Sequence, residues 1–193
     1  MKLVALIILT RSFKGFVNET IIMKFIHHGM EKADITTIST ICLPISLILI
    51  ISSQKFISKG KYLKYYHLIY IISGLLCFWR FIILQDFMAT GNKSRAYWLL
   101  VLNGILDTVC VLDFVFLFAF LNLIVDERIG ATMITIFTSI MNSSATLPRT
   151  IGLKLTDHMN YNVLAGFGFT GFAIALFTSF FIAKQLDATD PSA

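Results

Sequence analysis

Residues 97–125 read YWLLVLNGILDTVCVLDFVFLFAFLNLIV, with Asp107 and Asp113 as the only charged side chains. A bilayer's hydrocarbon core, roughly 30 Å thick, is crossed by about 20 mostly apolar residues in a helix. Five further stretches follow the same pattern, at 3–26, 35–53, 66–84, 129–155 and 163–183, and short polar loops join them. Across all 193 residues the hydrophobic share is 56% and the mean hydropathy is +0.79. The expected fold is therefore an all-α membrane protein: a bundle of six transmembrane helices over residues 1–184 and a short polar tail at 185–193, its apolar surface covered by the lipid bilayer.

The first of these stretches is the most irregular, because Arg11, Lys14 and Glu19 interrupt it and leave open a break into two shorter pieces. Lys2 followed by the apolar run 3–9 is reminiscent of a signal peptide, but no small-residue cleavage site follows, so an uncleaved first helix is expected. The formal net charge of +5 does not indicate nucleic acid. Lys55, Lys59, Lys61 and Lys64 cluster in the loop between the second and third spans, where the excess of cations on cytoplasmic loops accounts for them. With that loop cytoplasmic, both termini and the turn at 126–128 share its side, and the loops at 27–34, 85–96 and 156–162 face the lumen or exterior. Of three N-x-S/T sequons, only Asn92-Lys93-Ser94 falls in a lumenal loop. Those at Asn18 and Asn142 lie within spans and are expected to be silent.

Cys42, Cys77 and Cys110 all sit in apolar runs, where a thiol behaves as a small hydrophobe, and no metal-ligand spacing is present. His27-His28 reads as a solvated loop pair. Gly166-Phe167-Gly168-Phe169-Thr170-Gly171 satisfies G-x-G-x-x-G but lies in an apolar span with no strand before it, so no dinucleotide site is expected. Instead Gly166/Thr170 and Gly171/Ala175 provide small-xxx-small pairs for close helix packing. No catalytic constellation, cofactor motif or metal site is found, and the protein is not expected to be an enzyme.

Charges at membrane depth are costly unless they face protein or water, so each is a candidate site. Arg11, Lys14 and Asn18 fall at i, i+3 and i+7, on one helical face. That face either receives an anion or forms a structural network with Asp107, Asp113 or Glu19. Asn103 and Asp107 stand at i, i+4, with Asp113 about 120° further round an unbroken helix. Arg80 is a partner for either aspartate or for a substrate phosphate. In the fifth stretch Thr135, Ser139, Asn142, Thr146 and Arg149 form a polar stripe, and Pro148 leaves the Ser144 carbonyl without its helical donor. Hydrogen bonding between helices is one use for the stripe; the charge on Arg149 favours lining a cavity. The candidate substrate-binding residues are thus Arg11, Lys14, Arg80, Asn103, Asp107, Asn142 and Arg149.

The run Asp126-Glu127-Arg128-Ile129-Gly130-Ala131-Thr132, continuing through Thr135, Asn142, Pro148, Thr150, Leu153, Leu155 and Asp157, resembles the signature of the acetyl-coenzyme A transporter family. Gly29, Lys32, Pro44 and Lys55 fit the same pattern upstream. The resemblance implies a major facilitator architecture of two six-helix halves, of which this chain looks like the C-terminal one. It also implies acetyl-CoA as substrate, moved from cytosol into the lumen of the endoplasmic reticulum or Golgi, with an N-terminal half or a second copy as partner. Leu147 stands where the family has Trp, Arg149 replaces a small residue, and Ser143-Ser144-Ala145 replaces a glycine-containing stretch. The cysteine-bearing loop of animal members is replaced by the short turn at 156–162. These departures leave two alternatives, a related permease for another anionic or sugar-peptide solute and a non-transporting membrane partner.

Overall fold

The computed structural model describes residues 2–57, 62–124, 130–156, 158 and 160–187. Every regular element among them is helical: α1 (Lys2–His27), α2 (Lys32–Ile57), α3 (Tyr62–Thr90), α4 (Lys93–Asp107), a 3₁₀ segment (Thr108–Val111), α5 (Leu112–Ile124), α6 (Gly130–Thr156) and α7 (Tyr161–Asp187). Among the described residues four segments are long and apolar enough to cross a bilayer: Lys32–Ser53, Tyr62–Thr90, Lys93–Leu123 and Tyr161–Ile182. The chain is thus an all-α membrane protein. The helices α1 and α6, of 26 and 27 residues, have the length but not the apolarity, since Arg11, Lys14 and Glu19 dilute one and the many Thr and Ser residues with Asn142 the other.

α1 is continuous despite its charges, with no break at Arg11 or Lys14. The stretch 97–125 is instead interrupted, because the 3₁₀ segment separates α4 from α5. A 3₁₀ turn advances about 120° per residue instead of about 100°, so the angle between Asp107 and Asp113 expected for an unbroken helix does not carry over. The loop expected at 85–96 shrinks to Gly91 and Asn92. Gly91 takes φ +65° and donates its N–H to Phe87 O at 2.8 Å, while the Asn92 side chain caps α4 by accepting from Arg95 N at 3.0 Å. At the end of α1, Gly29 (φ +95°) and Met30 donate to Ile26 O and Phe25 O, each at 3.0 Å, closing the helix in a Schellman turn. The turn at 126–128, Lys59, Lys61, Asp157 and the end of the tail from 188 lie outside the described residues.

The chain divides into two compact units, one formed by Ile21–Phe116 and the other by Met1–Thr20 with Leu117–Ala193. In the first, α3 packs on α4, where Leu84, Phe87 and Leu100 are buried, and Tyr66 and Tyr70 are buried nearer the start of α3. Gly104 brings α4 close to α2: a Cβ there would stand 3.0 Å from Ile38 Cγ2 and 3.1 Å from Cys42 Sγ. α2 itself is sparsely covered, with 11% of its apolar window buried against 33–44% for the other three, so most of its surface is left for lipid or another protein.

In the second unit, small residues let α6 and α7 close on α1. A Cβ on Gly15 would lie 2.9 Å from the Ala145 carbonyl oxygen, and one on Gly152 3.1 Å from Phe16. On α7 the packing residues are Gly168, against Val17 and Phe16, and Gly171, against Phe13, with Ala175 fully buried. Gly166 and Thr170 are exposed, and a Cβ on Gly166 would meet nothing within 4 Å. The expected Gly171/Ala175 pair is thus a packing pair, whereas the expected Gly166/Thr170 pair gives way to Gly168.

Candidate functional site

Two polar centres emerge, one in each unit. In the first, Arg80 on α3 donates from Nε to Asn103 Oδ1 at 2.9 Å and from Nη2 to Asp107 Oδ2 at 3.2 Å. Asn103 also donates from Nδ2 to Leu76 O at 3.0 Å. It is 0% exposed, and both ends of its amide are engaged inside the bundle. Asn103 therefore acts as a fixed bracket that ties α4 to the α3 backbone and aims Arg80 at Asp107. The Arg80 and Asp107 side chains are 12% and 28% exposed, so the ion pair is sheltered yet reachable from one side. Of the two aspartates considered as partners, the described geometry shows Arg80 paired with Asp107. Asp113, in the first turn of α5, is deeper, at 4% exposure. Cys42 lies within electrostatic reach of both Arg80 and Asp107, which puts a thiol at the edge of this centre.

The second centre is built around Pro148. A proline cannot donate to the carbonyl four residues back, and an orphaned carbonyl in an apolar setting needs another donor. The Ser12 hydroxyl supplies it, donating to Ser144 O at 3.1 Å from α1. Three residues further along α1, Gly15 lets the two backbones touch beside the same turn. Another turn on, Glu19 Oε1 meets Arg149 Nη2 at 2.8 Å. Ser12, Gly15 and Glu19 fall at i, i+3 and i+7, one helical face laid along the proline turn of α6.

Arg149 is 56% exposed at its side chain and Glu19 only 16%. From Arg149 the outward face of α6 continues through Thr146, Asn142, Ser139 and Thr135, all exposed. The hydroxyls of Thr135 and Ser139 bond back to the α6 carbonyls of Ala131 and Thr135 at 2.9 Å, which satisfies their protons without hiding their oxygens. Arg11 and Lys14, on α1, are half-buried in the same unit. The seven candidates are therefore distributed as Arg80, Asn103 and Asp107 in one centre, with Arg149 and Asn142 on the α6 face and Arg11 and Lys14 on α1. Glu19 and Ser12 were not among them. The signals for both were present, a cation at depth that needs a counter-charge and a proline whose freed carbonyl needs a donor.

Among the described residues no group of three or more His, Cys, Asp or Glu is arranged to hold a metal ion. No curated protein and no solved structure matches the chain. A family model, Acetyl-coenzyme A transporter 1, matches residues 67–173, from His67 in α3 to Ala173 in α7. That interval holds Arg80, Asn103, Asp107, Asn142 and Arg149, while Arg11, Lys14, Gly29, Lys32, Pro44 and Lys55 precede it. The match takes in more than half of the chain and runs through both polar centres, and this membrane protein belongs to the acetyl-coenzyme A transporter 1 family.

Proposed function

We propose that the chain moves acetyl-CoA from the cytosol into the lumen of the endoplasmic reticulum or Golgi, acting as transporter and not as enzyme. In this reading it forms one six-helix half of a major-facilitator-type carrier, completed by another half or by a second copy. The family match carries the reading. The exposed polar face of α6 supports it, since an amide, three hydroxyls and a guanidinium along one side of a membrane helix require a wet cavity or a protein partner. α1 and α6 are then the fifth and sixth crossing helices, admitted by their polar faces where composition alone would leave them out.

The phosphates of acetyl-CoA need cations that are rigidly held but reachable. Arg80 meets both conditions at its sheltered pair, and Arg149, more than half exposed on the α6 face, meets the second. Charge-assisted hydrogen bonds to phosphate are roughly twice as strong as neutral ones, and the planar guanidinium fork matches phosphate oxygens in pairs. Asn103 serves by holding Arg80, through one hydrogen bond at each of its amide atoms. The test is uptake of labelled acetyl-CoA by microsomal vesicles that carry the chain. Arg149→Gln is expected to cut uptake about tenfold or more, as loss of a charge-assisted hydrogen bond worth about 1.5–3 kcal/mol does, at unchanged protein level. Unaltered uptake would remove Arg149 from the substrate path, and uptake insensitive to excess unlabelled acetyl-CoA would remove the substrate.

The orientation yields a separate prediction. Asn92 is exposed in the α3–α4 turn, on the lumenal side in this reading, and its sequon is the one expected to carry glycan. Ser94→Ala removes the sequon while leaving the Asn92 cap intact, so an endoglycosidase-sensitive gel shift present in the parent should vanish in this variant. A parent chain without glycan, or a shift that persists in Ser94→Ala, would count against that sidedness.

A further inference from the structure

The pairing of Glu19 with Arg149 bears on how an anion is taken up and let go, an inference that rests on the transport reading above. The contact joins one guanidinium nitrogen to one carboxylate oxygen at 2.8 Å. Among the described residues the other donors of Arg149 meet no acceptor, and more than half of the side chain is exposed. An ion pair this open contributes little net stability, with a usual range of about 0–1 kcal/mol. It is therefore easily exchanged. A phosphate group carries more charge than a carboxylate and can take the guanidinium fork with two oxygens at once, so it competes well for the same nitrogen.

The surroundings of Glu19 make the exchange reversible. Glu19 is 16% exposed and sits on a helix held against α6 one turn away, at Gly15–Ala145 and Ser12–Ser144. It cannot swing far, and a carboxylate in a poorly hydrated place without its cation is disfavoured. Once an anion occupies Arg149, the unpartnered Glu19 a few ångströms away weakens the grip on it. The geometry points to Glu19 as a positioning residue that competes with the anionic substrate for Arg149, setting its affinity low enough for release.

The experiment measures the concentration dependence of acetyl-CoA uptake in vesicles carrying the full chain, with unacetylated CoA as competitor. The variants are Glu19→Gln, Glu19→Asp, Arg149→Gln and the double Glu19→Gln/Arg149→Gln. Removing the competing charge should lower KM about two- to fivefold, the scale of one weak charge pair, and lower maximal velocity in the same variant as release slows. Both shifts should shrink as ionic strength rises. Glu19→Asp keeps the charge with a shorter reach and should shift in the same direction by less; it carries the test if Glu19→Gln fails to reach the membrane. The double variant should match Arg149→Gln alone.

A merely structural role for Glu19 would lower velocity through protein level and leave KM and its salt dependence unchanged; that result would overturn the proposal. A rise in KM in Glu19→Gln, or an equal shift in the Arg149→Gln background, would overturn it too. If Arg149→Gln impairs uptake while Glu19→Gln changes nothing, the inference fails and the transport reading stands. If the parent chain neither takes up acetyl-CoA nor has its uptake inhibited by CoA, the transport reading fails and takes this inference with it.

Discussion

Asp107→Ala is expected to lower the stability of the detergent-solubilised protein by about 2–3 kcal/mol, because it removes the carboxylate that meets Arg80 Nη2 at 3.2 Å in a sheltered place. Breaking a fully buried pair costs about 3–5 kcal/mol, and the figure is reduced here because Asp107 is 28% exposed at its side chain. Asn103 cannot compensate. Its Oδ1 already accepts from Arg80 and its Nδ2 is held by Leu76 O. Asp107→Asn should fall between, since an amide oxygen still accepts from Nη2 but carries no charge. The paired replacement Arg80→Leu/Asp107→Leu should recover most of the loss, because exchanging a sheltered ion pair for apolar side chains is often neutral. Thermal unfolding followed by a buried-thiol dye, with Cys42, Cys77 and Cys110 as reporters, reads all four proteins. If Asp107→Ala melts with the parent, the pair is solvated and contributes nothing. Uptake by the double variant then separates two roles: recovered stability with lost transport makes Arg80 a substrate contact, and recovery of both makes the pair a strut.

The parts of this centre differ in how far sequence could reveal them. The i, i+4 spacing of Asn103 and Asp107 and the presence of a cation on the preceding helix are visible in the chain. The meeting of Arg80 with Asp107 is not, because it depends on the register of α3 against α4. The 3₁₀ segment at Thr108–Val111 further alters where Asp113 points, and no proline or glycine within it announces the change. The Glu19–Arg149 pair illustrates a different limit. Each residue is conspicuous alone, yet they are 130 positions apart, and only the packing of α1 on α6 brings them together. Pro148 is the opposite case, since the chemistry of the imide demands a donor for Ser144 O before any fold is known, and only the identity of that donor, Ser12, needed the structure. On α7 the Gly171/Ala175 pair was legible in the sequence, while Gly168 was passed over for Gly166/Thr170, because Gly166, Gly168 and Gly171 offer two overlapping small-residue faces and helical periodicity alone does not rank them.

Gly15→Ala and Gly166→Ala are the same chemical change and should have opposite signs. In an exposed helix position, alanine in place of glycine is favourable by roughly 0.5–1 kcal/mol, because less backbone entropy is lost on folding. Gly166 is exposed with nothing within 4 Å of the added methyl, so Gly166→Ala should raise the melting temperature slightly. At Gly15 the methyl would stand 2.9 Å from the carbonyl oxygen of Ala145. That oxygen belongs to the backbone and no rotamer change moves it away, so α1 and α6 must separate. Separation weakens the Ser12 bond to Ser144 O, and an orphaned acceptor of this kind costs about 1–3 kcal/mol on top of a similar overpacking term. The net expectation is a loss of about 2–4 kcal/mol for Gly15→Ala, larger for Gly15→Leu. Ser12→Ala isolates the hydrogen-bond share, because it removes the donor without pushing the helices apart. Equal melting temperatures for Gly15→Ala and Gly166→Ala would mean that α1 and α6 do not touch at this turn, and the placement of Glu19 beside Arg149 would lose its support.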